Sequence, residues 1–184
     1  MSLKVIYLAS GRAKLNYNNV VYNDYKEKRD LVCDMMTVDL NDYDILIATP
    51  PCNYYSRANY RRETSKYAQE TKHLLPDIID KFIKTGKPFI VENVRNKPLF
   101  KKLGLYDKNC LICTHGRHTY WTNRFISIQD IPQEFDFKCI PNYGCVRLKS
   151  YVQGGKNVND VLDRFISTVL QEESRKCDKI DGQQ

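Results

Sequence analysis

Short unbroken apolar runs alternate along this chain with longer stretches of helical period. Ile45 to Ala48 has β-branched members and no alternation, the pattern of a parallel strand covered on both faces. Lys4 to Ala9 and Pro88 to Val94 read the same way, and Val20 to Asp24 predicts a strand ending in an acid. Leu31 to Met36, which carries Asp34, predicts another, and Cys110 to Thr114, His118 to Asn123 and Asn142 to Val146 complete the set. From Thr64 to Lys84, residues Ala68, Leu74, Leu75, Ile78, Ile79, Phe82 and Ile83 recur at helical spacing, and Gly86 stands at the natural stop. Pro76 falls inside that pattern, so the helix either kinks there or splits in two with Pro76 near the start of the second piece. Pro98 to Leu103 predicts a short helix. Asn157 to Gln171 places Val158, Val161, Leu162, Phe165, Ile166, Val169 and Leu170 on one stripe, a closing helix that packs on the sheet. Only Ser10 to Val20 separates the first two strands, where a parallel crossover takes about a dozen residues or more; any helix there is clipped to a turn or two. These elements predict one α/β domain over 1–171, a mostly parallel central sheet flanked by helices, and a frayed polar tail over 172–184.

Composition narrows the class. The 184 residues hold no apolar run near the roughly 20 needed to span a bilayer, and Met1-Ser2-Leu3-Lys4 lacks a secretory pattern. The expectation is a soluble, cytoplasmic protein with no membrane partner. Seven cysteines, an odd count spread among strand-like segments, favour reduced thiols over a disulfide framework. The formal charge is +7, unevenly placed: seven acids against three bases between Val20 and Asp44, then seven bases against one acid from Arg95 to Arg124. That second stretch is either a surface for a polyanion such as nucleic acid or a solvated basic face.

Candidate chemistry gathers where apolar runs end. Pro50 and Pro51 stop the strand at Ile45 to Ala48, because neither has an amide hydrogen, and so present Cys52 at its carboxyl end. Ligands bind at that edge in open α/β sheets. Glu92-Asn93 ends the next strand. A nucleophilic thiol needs nearby positive charge, which Arg57, Arg61, Arg62 and Arg117 could supply. Glu92 could hydrogen-bond the ring nitrogen and exocyclic amine of a base, or be a strand-end acid paired to a lysine. Asn53 to Arg62, polar, aromatic and basic, predicts a mobile loop beside the site, and Ser10-Gly11 is a small pair that lets the backbone turn or approach a ligand. Cys110-x-x-Cys113 with His115 and Cys139 sketches a zinc site without a second close pair, and strand cysteines explain it better. Tyr120 and Trp121 read as core before they read as nucleotide-stacking groups.

Asp44 to Cys52, with Ser56 after it, and Val91-Glu92-Asn93-Val94 resemble the nucleophile and Glu-Asn-Val motifs of the DNA cytosine C5 methyltransferases. Gly116 to Asn123 resembles the arginine-bearing motif that follows in that family, and Gln153 to Val158 its last motif. The resemblance implies a Rossmann-like S-adenosylmethionine-dependent methyltransferase fold. It implies that Cys52 attacks C6 of a cytosine flipped out of DNA, that Glu92 holds N3 and the amino edge, and that Arg117 orients the ring or the nucleophile. On the same resemblance Leu8, Ser10, Gly11, Asp24, Asp34, Pro50 and Asn157 bind the cofactor, while Pro51, Ser56, Arg57, Arg62 and Asn93 meet the substrate. The chain departs from the family in having one glycine in its first motif, Thr119 at the second arginine's place, His115 for a glutamine and Lys156 for an asparagine. Only about 20 residues lie where the family inserts a target-recognition domain, as in small orphan methyltransferases of phages. A catalytically weak or inactive relative that binds nucleic acid or a protein, and RNA or a free nucleotide as substrate, stand beside the first reading.

Overall fold

The computed structural model describes residues 2–131, 137–140, 144–147 and 151–181, with side chains described outside 137–140, 144–147, 151–157 and 176–181. Seven strands make one sheet: β1 (Val5–Leu8), β2 (Val20–Asp24), β3 (Leu31–Val32), β4 (Ile45–Ala48), β5 (Phe89–Val94), β6 (Leu111–His115) and β7 (His118–Thr122). Their order is β3-β2-β1-β4-β5-β7-β6. The first five run parallel, whereas β7 is antiparallel to both β5 and β6. The sheet is therefore mixed: the expected parallel pairing holds from β3 to β5 and gives way to antiparallel pairing at β7 and β6. Only Gly116 and Arg117 lie between the paired His115 and His118, and a two-residue connection can make only a hairpin. Gly116 has φ 55°, the left-handed value that the first position of such a turn needs. A separate antiparallel pair, β8 (Phe137–Ile140) with β9 (Gly144–Arg147), covers part of the strand expected at 142–146; residues 142 and 143 lie outside the described ones.

The unbroken apolar runs reflect burial on both faces. Ile6, Leu8, Leu46, Ala48, Phe89, Val91 and Trp121 share one core with Leu75, Ile78, Ile79 and Phe82 of α2 (Leu74–Thr85). Their alternates Val5, Tyr7, Ile45, Ile47, Ile90 and Tyr120 share the other with Val161, Leu162, Phe165, Ile166 and Val169 of α4 (Tyr151–Asp181). The long helical pattern splits at Pro76 into α1 (Lys66–Thr71), capped by Ser65, and α2, where Pro76 sits in the first turn and costs no hydrogen bond; Gly86 ends it at φ 68°. α3 (Lys97–Lys102) is capped by Asn96.

Three boundaries differ from expectation. β3 has two residues because Asp34 folds the chain away, its carboxylate accepting from Met36 N and its carbonyl from Thr37 N. α4 begins six residues before Asn157 and continues through the polar stretch to Asp181, so 172–181 is helical rather than frayed. Glu, Arg and Lys are good helix formers, no glycine intervenes before Gly182, and Glu172 is fixed by Arg124 Nε at 3.0 Å. Residues 182–184 lie outside the described ones. Between β1 and β2 there are only turns, and α4 covers the face a crossover helix would take, tied on by Asn16 N and Nδ2 donating to Asp163 at 2.9 Å each. Among the described residues no helix is long and apolar enough to cross a membrane.

Candidate active site

Strand order reverses between β1 and β4, so a crevice opens at their carboxyl ends. Thr49, the residue after β4, donates its backbone N–H to Leu8 O and its hydroxyl to Ala9 O, which fixes the first residue of the turn beyond each strand. Ala9 has φ 51°, a left-handed conformation costing about 1–2 kcal/mol outside glycine, and the Thr49 bond helps hold it. Pro50 and Pro51 then end the ladder. Cys52 follows, partly exposed, its carbonyl accepting from Tyr55 N at 3.0 Å and Ser56 N at 2.8 Å. Ser56 thus lies in the cysteine's own turn. Cys33, Cys52, Cys110 and Cys113 are all thiols.

β5 runs beside β4 with Val91 opposite Ala48, and this register brings Glu92 and Asn93 level with the start of the Pro-Pro-Cys turn. Asn93, 1% exposed, donates Nδ2 to Pro50 O at 3.0 Å and locks that turn to β5. Asn96 donates to Tyr55 O at 2.7 Å, and Tyr55 is fully buried. Residues 53–62 are therefore a chain of anchored turns, where the sequence alone predicted a mobile loop. Arg62 turns inward on it, giving Nη2 to Ser56 O and Nε to Asn59 O, while Arg57 is exposed. Arg62 is bonded into the Cys52 turn, and Arg61 lies over the Tyr60 ring.

Glu92 is 8% exposed and meets His118 rather than a lysine: Oε1 lies 2.5 Å from Nδ1. Glu92 pairs across the ladder with Tyr120, and Val94 with His118, so the imidazole sits diagonally from the carboxylate on the same face. Tyr7 stands on that face of β1, its hydroxyl 3.3 Å from Thr49 Oγ1. Burial first, and the Glu92 charge with it, raises both the Tyr7 and Tyr120 phenols, so both stay protonated. The Tyr120 hydroxyl and the Thr119 hydroxyl are buried with no hydrogen-bond partner among the described residues. His118 was passed over in the sequence because its motif drew attention to Arg117; period-two alternation from Tyr120 was the signal that could have found it. Arg117 occupies the hairpin tip, its carbonyl accepting from Arg95 N at 2.6 Å, which places it beside the end of β5.

The residues expected to bind a cofactor divide. Leu8 is wholly in the core, and Ser10 is buried with its hydroxyl on Asn23 O. Asp34 is exposed and accepts Met36 N on Oδ1 in its own turn. Asp24 accepts Gly11 N on Oδ2 and Lys26 N and Glu27 N on Oδ1, leaving room on Oδ2 for one further donor. Partial burial pushes its carboxyl up, but these three bonds, with Arg29, outweigh it and hold the carboxyl below its ordinary range. Arg29 spans the same turn, donating to Gly11 O at 2.6 Å and Ala13 O at 3.0 Å. Above Gly11 nothing lies within 4 Å of where a Cβ would point. Asn157 falls on α4, its side chain outside the described residues, as are those of Lys156 and Cys139.

Elsewhere the side chains are structural. Trp121 is buried and donates to Leu105 O at 2.8 Å. Cys110 packs against the core on one sheet face and Cys113 against the other, and burial pushes each thiol up to about 11. Among the described residues no three His, Cys, Asp or Glu groups could hold a metal. Of the basic stretch, Lys108 is paired to Asp80 and Arg124 to Glu172, while Arg95, Lys97, Lys101 and Lys102 are exposed at and after the carboxyl end of β5.

Residues 13–102 match the family model described as C-5 cytosine-specific DNA methylase. The matched stretch contains Pro50, Pro51, Cys52, Glu92 and Asn93, and leaves out the β1 turn and the β6–β7 hairpin. No curated protein matches the chain.

Proposed function

From the match of residues 13–102 to the model described as C-5 cytosine-specific DNA methylase, we propose a DNA cytosine methyltransferase that uses S-adenosylmethionine and works through a covalent Cys52 adduct. The observation that carries this is the lock between the two strand ends, Asn93 Nδ2 on Pro50 O, which holds the Cys52 turn and the Glu92 carboxylate at one edge of the sheet.

In this reading the cytosine leaves its stack, because C6 is shielded in a duplex. Cys52 attacks C6, Glu92 takes N3 and the exocyclic amine, and Arg117 at the hairpin tip orients the ring. Exposed Arg57, with Arg95, Lys97, Lys101 and Lys102, supplies positive charge along the same edge for a phosphate backbone. Pro51, Ser56 and Arg62 shape the turn under the base. The residues present fit the cofactor at one point: Asp24 has acceptor capacity for a ribose hydroxyl, beside open ground over Gly11. When bound, S-adenosylmethionine supplies the methyl group that C5 accepts. Leu8 and Ser10 would act through the shape of the β1 turn, since Leu8 O accepts from Thr49 N and the Ser10 backbone is bonded to Asn23 and Ala13.

The test is incubation with DNA containing 5-fluorocytosine and S-adenosylmethionine, with RNA and a cytidine nucleotide as parallel substrates. A covalent adduct on DNA that disappears in Cys52→Ser is the expected result; a folded protein that forms none on any substrate overturns the reading. A second reading, a relative without turnover that holds nucleic acid through its basic edge, draws on the β1 turn being closed by Arg29 and Asp24. Calorimetry separates the two, since micromolar binding of S-adenosylmethionine removes the ground for the second.

A further inference from the structure

The contact between Glu92 and His118 is what the mechanism above leaves unused. Both side chains are largely buried, 11% and 25% exposed, and Oε1 and Nδ1 lie within hydrogen-bond reach at 2.5 Å. We propose that His118 is a positioning residue for the reaction, which fixes the Glu92 carboxyl through Nδ1 and supplies the proton that Glu92 passes to N3 of the cytosine. This rests on the reading of Cys52 and Glu92 given above.

Among the described residues, other titratable groups surround the pair, and His115 of β6 lies directly across the ladder from His118, 3% exposed. Tyr7 on β1 and Tyr120 on β7 face Glu92 as neutral phenols, with Tyr22 of β2 and Arg29 behind Tyr7 and Cys113 of β6 behind Tyr120. Burial raises the Cys113 thiol to about 11, so it too keeps its proton. From α4 come Val158, Val161 and Leu162, while its Asp163 is turned to Asn16 and Asp160 lines the same outer hollow. Arg117 adjoins His118 at the hairpin tip and brings a fixed positive charge to that end. Buried negative charge on Glu92 is thus balanced by a group that can also release a proton.

The chemistry requires such a release. When the Cys52 thiolate forms its bond to C6, the C5=C6 electron pair moves into the ring and N3 becomes basic. The Glu92 carboxylate takes one proton from the His118 imidazolium and passes it to N3, which leaves the imidazole neutral and Glu92 ionised again. On reversal the thiolate leaves, the C5=C6 bond re-forms, and the N3 proton returns through Glu92 to Nδ1. A lone glutamate would have to enter each cycle protonated, against the preference of a carboxyl group at neutral pH.

This half of the reaction needs no cofactor, because the C6 adduct can take a deuteron from solvent at C5, lose the original C5 proton to water and expel the thiolate. The experiment is therefore exchange of the cytosine C5 hydrogen in single-stranded and duplex DNA in heavy water, over pH, with folding checked by thermal melting. Wild type should give a bell, rising as the thiolate forms and falling as the imidazolium is lost. His118→Ala should lower the maximum about a hundredfold, within the range general acid–base groups contribute. His118→Asn keeps an N–H donor at the same reach but cannot titrate; it should stay about tenfold down with the alkaline fall removed. An Asn variant that matches wild type in rate and profile overturns the role of His118 and leaves Cys52 and Glu92 standing. Absence of C5 exchange in wild type, as in Cys52→Ser, overturns the underlying reading and this inference together.

Discussion

Asp24 shows how one residue can serve the fold and the site at once. Its carboxylate closes the β1 turn through Gly11 N and starts the turn after β2 through Lys26 N and Glu27 N. Those bonds favour the ionised form, and its folded carboxyl lies below the ordinary 3.8 although burial opposes the shift. A group whose folded value is depressed adds stability above its unfolded value and loses it as pH falls through the folded one. Asp24→Asn should therefore melt below wild type by a constant margin at neutral pH, and the margin should shrink as pH drops below about 4. Melting temperatures of both proteins along a pH series test this; a margin unchanged down to pH 2 would mean that the turn does not depend on the charge. The same substitution should weaken S-adenosylmethionine binding, because an amide offers one acceptor oxygen where the carboxylate offers two.

At the scale of elements, the connection from β3 to β4 has no helix to hold it, and two lysines take that part. Lys87 Nζ donates to Leu40 O, Asn41 O and Tyr43 O at 2.7, 2.8 and 2.7 Å, and Lys81 Nζ to Met36 O and Val38 O at 2.9 and 2.7 Å. Lys87→Met keeps the aliphatic stem and removes three charged hydrogen bonds; it should cost about 2 kcal/mol, read as a shift of the urea midpoint at unchanged slope. Sequence pattern could not show this, since a lysine after a helix reads as a solvated charge. What was legible followed local rules: the unbroken run at β4, the proline stop before Cys52, and the glycine end of α2 at Gly86. The splitting of the long helix at Pro76 was legible as one of two outcomes: the break falls at Lys72 and His73, which puts Pro76 in the first turn of α2, where its missing N–H costs nothing. The mixed sheet and the Glu92–His118 contact depend on how β7 returns beside β5, a pairing between residues 26 positions apart that no local pattern encodes. The helical course of 172–181 was missed because apolar period was taken as the measure of a helix, while propensity and the Arg124 ion pair sustain it.

For the molecule as a whole, the decisive feature is that one helix from the end of the chain covers the face behind Tyr7, Glu92 and Tyr120. Turns alone join β1 to β2, so Val5, Tyr7, Ile45, Ile47 and Ile90 find their cover in α4. Phe165, fully buried at the centre of that contact, has no second layer to replace it. Phe165→Ala should cost about 3–5 kcal/mol, the range for truncating a buried phenylalanine, and should act on the site as well as on global stability. Loosening α4 would let water reach the phenols of Tyr7 and Tyr120 and lessen the burial that keeps Glu92 and His118 paired. In the C5-exchange assay below its melting temperature, Phe165→Ala should therefore lose rate mainly on the alkaline side, where imidazolium supply limits. Lys87→Met, on the opposite side of the sheet, should keep the wild-type profile when it too is assayed below its own melting temperature. Equal profiles for the two variants would mean that α4 stabilises the fold without setting the chemistry of the edge it covers.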